Sequence, residues 1–229
     1  MPQSAVQATR VQGALAGLLA LIAGDVDAYS LFNYDVFASF MSGNTTEAGL
    51  HAGLGRLIDA ARHALPIPLF VMGVFLGTLV LHGTLRNPLR WVCVLVAGLL
   101  IASLVGATRS LLPNWLNIVC LSLAMGAMNT TITSIGTQAV SLGFVTGDLN
   151  NIGRHAALAL RRVPVPNSQG TWDTHFRRAT LLAGVWMAFL CGAIFAGAAT
   201  PRFGATVLVP PIVVLLLVAA SYRDAARAA

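Results

Sequence analysis

Apolar residues run through this chain in six long blocks, at about 12–33, 66–85, 91–108, 113–140, 179–199 and 203–221, with most of the charge confined to the joints between them. Blocks of this length predict helices able to cross roughly 30 Å of hydrocarbon, for which about 20 residues suffice. The pattern therefore reads as an all-α integral membrane protein with six spans. One block is too long for a simple crossing. Between Arg109 and Asp148 lie 38 residues without a charged side chain, which as one helix would measure about 57 Å at 1.5 Å per residue. The run has to break. Breakers stand at Ser134–Gly136 and Ser141–Gly143, and in the first half at Gly24 and Ser42–Gly43, because glycine weakens a helix interior. A re-entrant or broken segment is expected in each half, where irregular backbone is tolerated only if buried in protein or lining a cavity.

The two halves are related. FASFMSGNTTEAG, Phe37–Gly49, returns as LGFVTGDLNNIG, Leu142–Gly153, after a shift of 104 positions. Leu19–Leu54 aligns with Leu123–Leu158 without a gap and with eleven identities, among them Phe40 with Phe144, Gly43 with Gly147, Gly49 with Gly153 and His51 with His155. Polar positions correspond too: Ser42 meets Thr146, Asn44 meets Asp148 and Asp25 meets Asn129. Three spans per copy is an odd number, so the second copy enters the membrane from the opposite side. The halves, 1–110 and 111–229, read as two inverted three-helix repeats within a single membrane domain, an architecture recurrent in secondary transporters, with sites where broken helices meet near the midplane.

Composition sharpens this picture. The 229 residues are 56% hydrophobic and 10% charged, with a mean hydropathy of +0.76, against about a quarter charged in soluble proteins. The lipid bilayer is the expected partner. All 14 basic residues are Arg, and they sit between apolar blocks instead of forming a stripe with interleaved aromatics, so nucleic-acid binding is not expected. With both termini cytoplasmic, ten Arg lie inside and Arg56, Arg62, Arg109 and Arg202 outside, the orientation favoured by the positive-inside rule. The polar start, MPQSAVQATR, lacks a convincing cleavage site and leads into a retained first span. Cys93, Cys120 and Cys191 each fall inside an apolar block and read as buried packing residues.

Candidate chemistry clusters at the repeated motif. In SGNTTE, Asn44 reads as a helix N-cap, with Glu47 completing a capping-box-like pair; Asp148 with Asn151 repeats the arrangement. A helix starting there would aim unpaired N–H groups and its positive dipole end at an anion or carboxylate-bearing solute. The alternative is a plain cap at a membrane surface. The candidate ligands are Ser42, Gly43, Asn44 and Thr45 with Thr146, Gly147, Asp148 and Asn150. Asp25 and Asp27 lie about 14 residues into an apolar run, where ionisable groups face a cavity or a partner. They are read as coupling acids, with Asn129 the uncharged counterpart of Asp25, unless Gly24–Asp27 already lies at the far surface.

The remaining signals are weaker. Leu50, Leu54, Leu57, Ile58 and Ala61 fall on one face of an amphipathic helix near an interface. Arg162–Asp173, with two Pro and one Gly, reads as a cytoplasmic loop. Asp35, His51 and His155 are minor titrating candidates, the histidines otherwise being polar-face residues or a relic of duplication. Gly73 and Gly77, like Gly192 and Gly197 with Ala196, read as close helix packing, and Trp91, Trp115 and Trp172 as interfacial aromatics. No nucleophile elbow, zinc motif, P-loop or Cys/His cluster with ligand spacing is found. Neither an enzyme nor a cofactor or metal is expected.

GDVDAYSLFNYDVFASFMSGNTTEAG, with SLAMGAMNTTITSIGTQAVSLGFVTGDLNNIG, resembles the YoaK family of bacterial integral membrane proteins, a domain of unknown function, over nearly the whole chain. Gly24, Asp27, Ala28, Phe37, Met41, Gly43, Asn44, Thr45 and Gly49 fit that family's first motif, with Ser42 for the usual Thr and Asp25 where an aromatic is common. Gly126, Asn129, Thr146 and Gly147 fit the second, with Met128 for the frequent Gln and Thr130 for the following Ala. The resemblance implies six or seven helices in the bacterial inner membrane. From the repeat and the polar breaks, the expected function is a small-solute transporter or channel, ion- or proton-coupled, with its site between the two motifs. The alternative is a structural or regulatory inner-membrane protein. A homodimer is left open.

Overall fold

A computed structural model describes residues 2–132, 134, 135, 138, 139, 145–166 and 168–221. Helix α1, Pro2–Tyr34, runs without interruption through Gly24. The expected break at Gly24 is therefore absent: the neighbouring apolar side chains Ile22, Ala23 and Val26 are fully buried, and tertiary packing outweighs the roughly 1 kcal/mol that a helical glycine costs. Asp35 ends the helix in the left-handed region at φ 57. Helix α2, Met41–Gly53, follows, and Gly55 at φ 74 separates it from α3, Leu57–Ala64. The expected single amphipathic helix is thus two. Its leucines face outward, with Leu57 71% and Ile58 87% exposed.

Helices α4, Pro66–Leu81, and α5, Pro88–Thr108, each open on a proline, where the missing N–H has no intrahelical role. Helix α6 is Asn114–Met128. Beyond it the chain leaves helix altogether. Two short strands, β1 Ser134–Ile135 and β2 Gln138–Ala139, pair antiparallel with Ser134 opposite Ala139 and Ile135 opposite Gln138. The long charge-free run does break near Ser134, into a strand pair that an all-α reading omits; the other proposed breaker, Ser141–Gly143, lies outside the described residues. Helix α7, Val145–Leu160, and α8, His175–Phe203, come next. Pro201 and Gly204, the latter at φ 55, then lead through a 3-10 turn, Gly204–Leu208, into α9, Val209–Ser221.

Four stretches among the described residues are long and apolar enough to cross a membrane: Gln7–Tyr34, Leu57–Leu81, Pro88–Thr108 and the 47-residue His175–Ser221. The last holds two of the expected blocks. Helix α6 is apolar but has only 15 residues.

The chain divides into two compact units, residues 25–131 with 193–229, and residues 1–24 with 132–192. In the first of these, α6 packs on α4 and α5, and α5 on α9. Glycines set the α4–α6 crossing: a Cβ on Gly73 would strike the Leu123 carbonyl, and one on Gly126 the Phe70 carbonyl. Close backbone approach of this kind is how helices associate where lipid removes the hydrophobic drive. Across α4 from these glycines, Val71, Met72, Phe75 and Leu79 are exposed, an apolar face suited to hydrocarbon. Gly197, expected to pack similarly, has nothing within 4 Å of a built Cβ. Between α5 and α6, the buried Ser103 hydroxyl donates to Asn117 Oδ1 at 3.2 Å. Cys93 and Cys120 are buried as expected; Cys191, in α8, is exposed. In the other unit, Ile135, Leu182 and Val185 are buried beside α7 and the start of α8 in sequence.

Candidate functional site

Helices α2 and α7 begin at Met41 and Val145, equivalent positions 104 residues apart. Each starts three residues before its expected cap. Asn44 and Asp148 therefore sit inside the first turn, buried to 0% and 4% exposure, and the capping-box reading is corrected. Phe40 occupies the N-cap of α2 without a side-chain cap bond. Asn44 instead reaches back over the preceding loop. Its Oδ1 accepts from the Phe37 N–H at 3.0 Å, and its Nδ2 donates to the Phe37 carbonyl at 2.7 Å. One amide thus satisfies both backbone groups of a residue that has no strand partner, which buried backbone requires. Gly43 is needed beside it, because a Cβ there would enter the Phe40 ring, itself edge-on to Phe37 with centroids 5.2 Å apart.

Asp27 braces the same loop from α1. Its two carboxyl oxygens accept from the Ser39 N–H and the Ser39 hydroxyl, both at 2.6 Å. Asp25, two residues earlier, is 1% exposed, and neither of its oxygens has a hydrogen-bond partner. Helix α1 continues for nine residues beyond Asp25, so both acids are held inside the helix and buried against protein. Asn129, at the C-cap of α6, likewise has a buried Oδ1 without a partner. Of the other candidate ligands, Ser42, Thr45, Thr146 and Asn150 are exposed, and Gly147 is half-buried. Thr45 bonds back to the Met41 carbonyl at 2.7 Å. Asp35 is exposed.

Near the end of α1 a cavity of about 540 Å³ opens, bordered by Tyr29, Asn33, Tyr34, Asn117 and Gly204. The sequence alone did not single these out. Tyr29 and Tyr34, whose hydroxyls lie 3.4 Å apart, are two of the chain's three tyrosines. Tyr29 stands four residues after Asp25, on the same helical face.

Both repeated histidines contact a second histidine. His51 stacks on His63 of α3, centroids 5.2 Å apart and planes within 6°. His51 Nε2 lies 3.7 Å from Glu47 Oε2 one turn before it. In the second copy His155, buried and not on a polar face, meets His175 Nδ1 to Nδ1 at 2.7 Å, and its Nε2 meets Gln138 Oε1 at 2.7 Å. With that amide oxygen accepting, His155 Nε2 carries the hydrogen and its Nδ1 accepts from His175. Burial, then the neighbouring His175, Arg178 and Arg154, hold the His155 pKa below its ordinary value. Nearby in sequence, Asp173 takes a two-pronged bond from Arg178, Nε to Oδ1 at 2.8 Å and Nη2 to Oδ2 at 2.7 Å, which lowers its pKa. Arg177 lies 4.4 Å above the Trp172 ring, so this tryptophan is engaged by a cation.

Apolar helices of this length, an apolar face on α4 and glycine-set crossings define a multi-pass membrane protein. Residues 15–221 match the family described as "Protein of unknown function (DUF1275)", and the chain belongs to it. YoaK is a member of that family, so the resemblance of the motifs holds. The chain is also similar to UPF0700 transmembrane protein RA0705 of Rhizobium meliloti (strain 1021), at 31% identity over 213 residues, covering 92% of this chain and 86% of that protein. No solved structure matches.

Proposed function

We propose that the protein is a small-solute transporter or channel of the bacterial inner membrane, coupled to protons or another cation through Asp25. The observation that carries this reading is the Asp25 carboxyl, buried without a partner on a membrane-length helix, one turn from a tyrosine that borders a cavity of about 540 Å³. Intramembrane carboxyls are costly and mark ion or proton paths, and a cavity of that size falls in the range of ligand sites. The coincident helix starts at Met41 and Val145, and the buried polar residue three positions later in each, support a duplication, which three crossings per copy would make inverted; the Arg bias supports cytoplasmic termini. Asp27 and Asn44 belong to the bracing of the loop before α2, not to solute contact. That inward use favours a second reading, a structural or regulatory membrane protein.

The two separate in proteoliposomes. Purified protein is first screened by thermal shift against small carboxylates, sugars and monovalent cations at several pH values, and the hits are assayed for uptake with an interior pH dye. Transport predicts saturable uptake that Asp25→Asn lowers at least tenfold (about 1.4 kcal/mol or more in the barrier) while melting and elution are kept. Absence of any flux, or full uptake by Asp25→Asn, would refute it.

A further inference from the structure

We infer that Glu47, His51 and His63 form a binding site for a divalent transition-metal ion of the zinc class, joining α2 to α3. Three observations converge on one point in the fold. One potential donor atom from each of the three side chains lies within 4.8 Å of the others. For any triangle with sides no longer than this, a point exists within about 2.8 Å of all three corners, and zinc bonds to imidazole nitrogen and carboxylate oxygen measure about 2.0–2.2 Å. Because the two rings are stacked within 6° and imidazole lone pairs lie in the ring plane, closing the site also takes rotation of a ring out of the stack. Glu47 and His51 are one turn apart on α2, so the helix itself aims both at the same side. His63 comes from α3 across the turn that Gly55 makes at φ 74.

The second observation is the state of the nitrogens. His63 is 6% exposed, and its Nδ1 is buried with no hydrogen-bond partner; His51 Nδ1 is buried and unpartnered too. Buried imidazole nitrogens are ordinarily hydrogen-bonded; with one nitrogen of each ring unpartnered and the Glu47 carboxylate 3.7 Å from His51 Nε2, the three side chains offer a donor set for a borderline-soft cation. Calcium and magnesium, which want six or more oxygens, fit poorly.

The third observation is the contrast with the second copy. There the position equivalent to Glu47 is Asn151, and the one equivalent to Tyr34 is Gln138. Gln138 closes on His155 through a 2.7 Å bond, and Asp173 is held by Arg178. The carboxylate is gone from one place and engaged in the other. Two histidines and one carboxylate, with remaining positions open to water, is a set that zinc accepts. The bound ion would lock the elbow between the motif helix and the helix leading into α4. This site is separate from the transport reading and does not depend on it.

The test uses full-length protein in detergent with any polyhistidine tag removed and the metal stripped by chelator. Zinc is titrated by calorimetry at neutral pH and monitored in parallel by melting temperature. One zinc per chain and a rise in melting temperature are expected. His63→Gln and Glu47→Gln should each weaken binding at least tenfold, the scale on which even indirect changes around a metal act, while His155→Gln leaves it unchanged. Wild-type protein without stoichiometric zinc binding overturns the proposal, as does binding that survives in both site variants or that His155→Gln alone removes. Where His63→Gln folds poorly, Glu47→Gln decides, since Glu47 is only half-buried and its replacement keeps the shape.

Discussion

The two copies of the motif carry the same histidine at the same place and use it differently. In the first, His51 and His63 stack with open Nδ1 atoms beside Glu47. In the second, His155 and His175 bond to each other and onward to Gln138. The partner histidines come from non-equivalent positions, His63 falling on Asn167 and His175 on Val71 under the same shift, and two further differences go with them. Gln138 brings an amide acceptor that Tyr34 lacks, the Tyr34 hydroxyl being turned toward Tyr29, and Asn151 removes the carboxylate that Glu47 supplies. A buried polar pair must be satisfied by something. In the second copy both His155 nitrogens are taken by protein groups, with only His175 Nε2 left open, whereas the first keeps an open nitrogen on each ring beside a carboxylate. The two motifs thus share a helix start and a histidine, while the groups around that histidine differ.

The largest expected effect breaks the second copy. Arg178→Ala leaves the nearly buried Asp173 carboxylate without its guanidinium, and losing one partner of such a pair costs about 3 kcal/mol. Denaturant titration in detergent measures it. A loss below about 1 kcal/mol would mean that the pair behaves as a surface ion pair.

Next comes the loop clamp of the first copy. Asn44→Ala removes both bonds to the Phe37 backbone, at about 1 kcal/mol each, so about 2 kcal/mol in all. Asn44→Asp installs the second copy's residue. It can still accept from the Phe37 N–H but cannot donate to the carbonyl while ionised, so its loss should fall between those of wild type and the alanine variant. Equal losses for both variants would show that the accepting bond contributes nothing.

The smallest effect is a slope. A histidine whose folded pKa lies below its unfolded value near 6.5 contributes fully above that pH and loses the contribution as pH falls below it. The protein should therefore be less stable at pH 5 than at pH 7, and His155→Gln should flatten that part of the curve. An unchanged slope would remove His155 as its source. Asp173, whose folded pKa lies below the ordinary 3.8, loses its contribution only in more acid solution, so the two effects separate along the pH axis.

Much of the fold was legible from the residues. Five of the six apolar blocks coincide with helices α1, α4, α5, α8 and α9 to within a few residues, apart from longer outer ends at α1 and α8, and α6 fills the start of the sixth, because helices in hydrocarbon satisfy their own backbone and need only length and apolarity. The motif's importance to the local backbone was legible as well, since Phe40 and Gly43 recur as Phe144 and Gly147, and Asn44 meets the polar Asp148, among otherwise interchangeable Ala and Leu. The helix start at the first motif was misplaced by four residues, the N-cap being Phe40 and not Asn44, because a buried asparagine inside the first turn and a capping asparagine share the same identity and nearly the same spacing.

What the sequence by itself determined is the membrane, the repeat and the positions where polar groups had to be explained. Those properties depend on composition and period, which are local and additive along the chain. The tertiary structure alone decided which polar groups satisfy one another. It turned Asn44 and Asp27 inward onto the loop, left Asp25 without a partner and drew His63 to His51 across the turn at Gly55. Hydrogen bonds and donor clusters form between residues whose separation along the chain carries no period, so their pairing exists only once packing has brought the elements together.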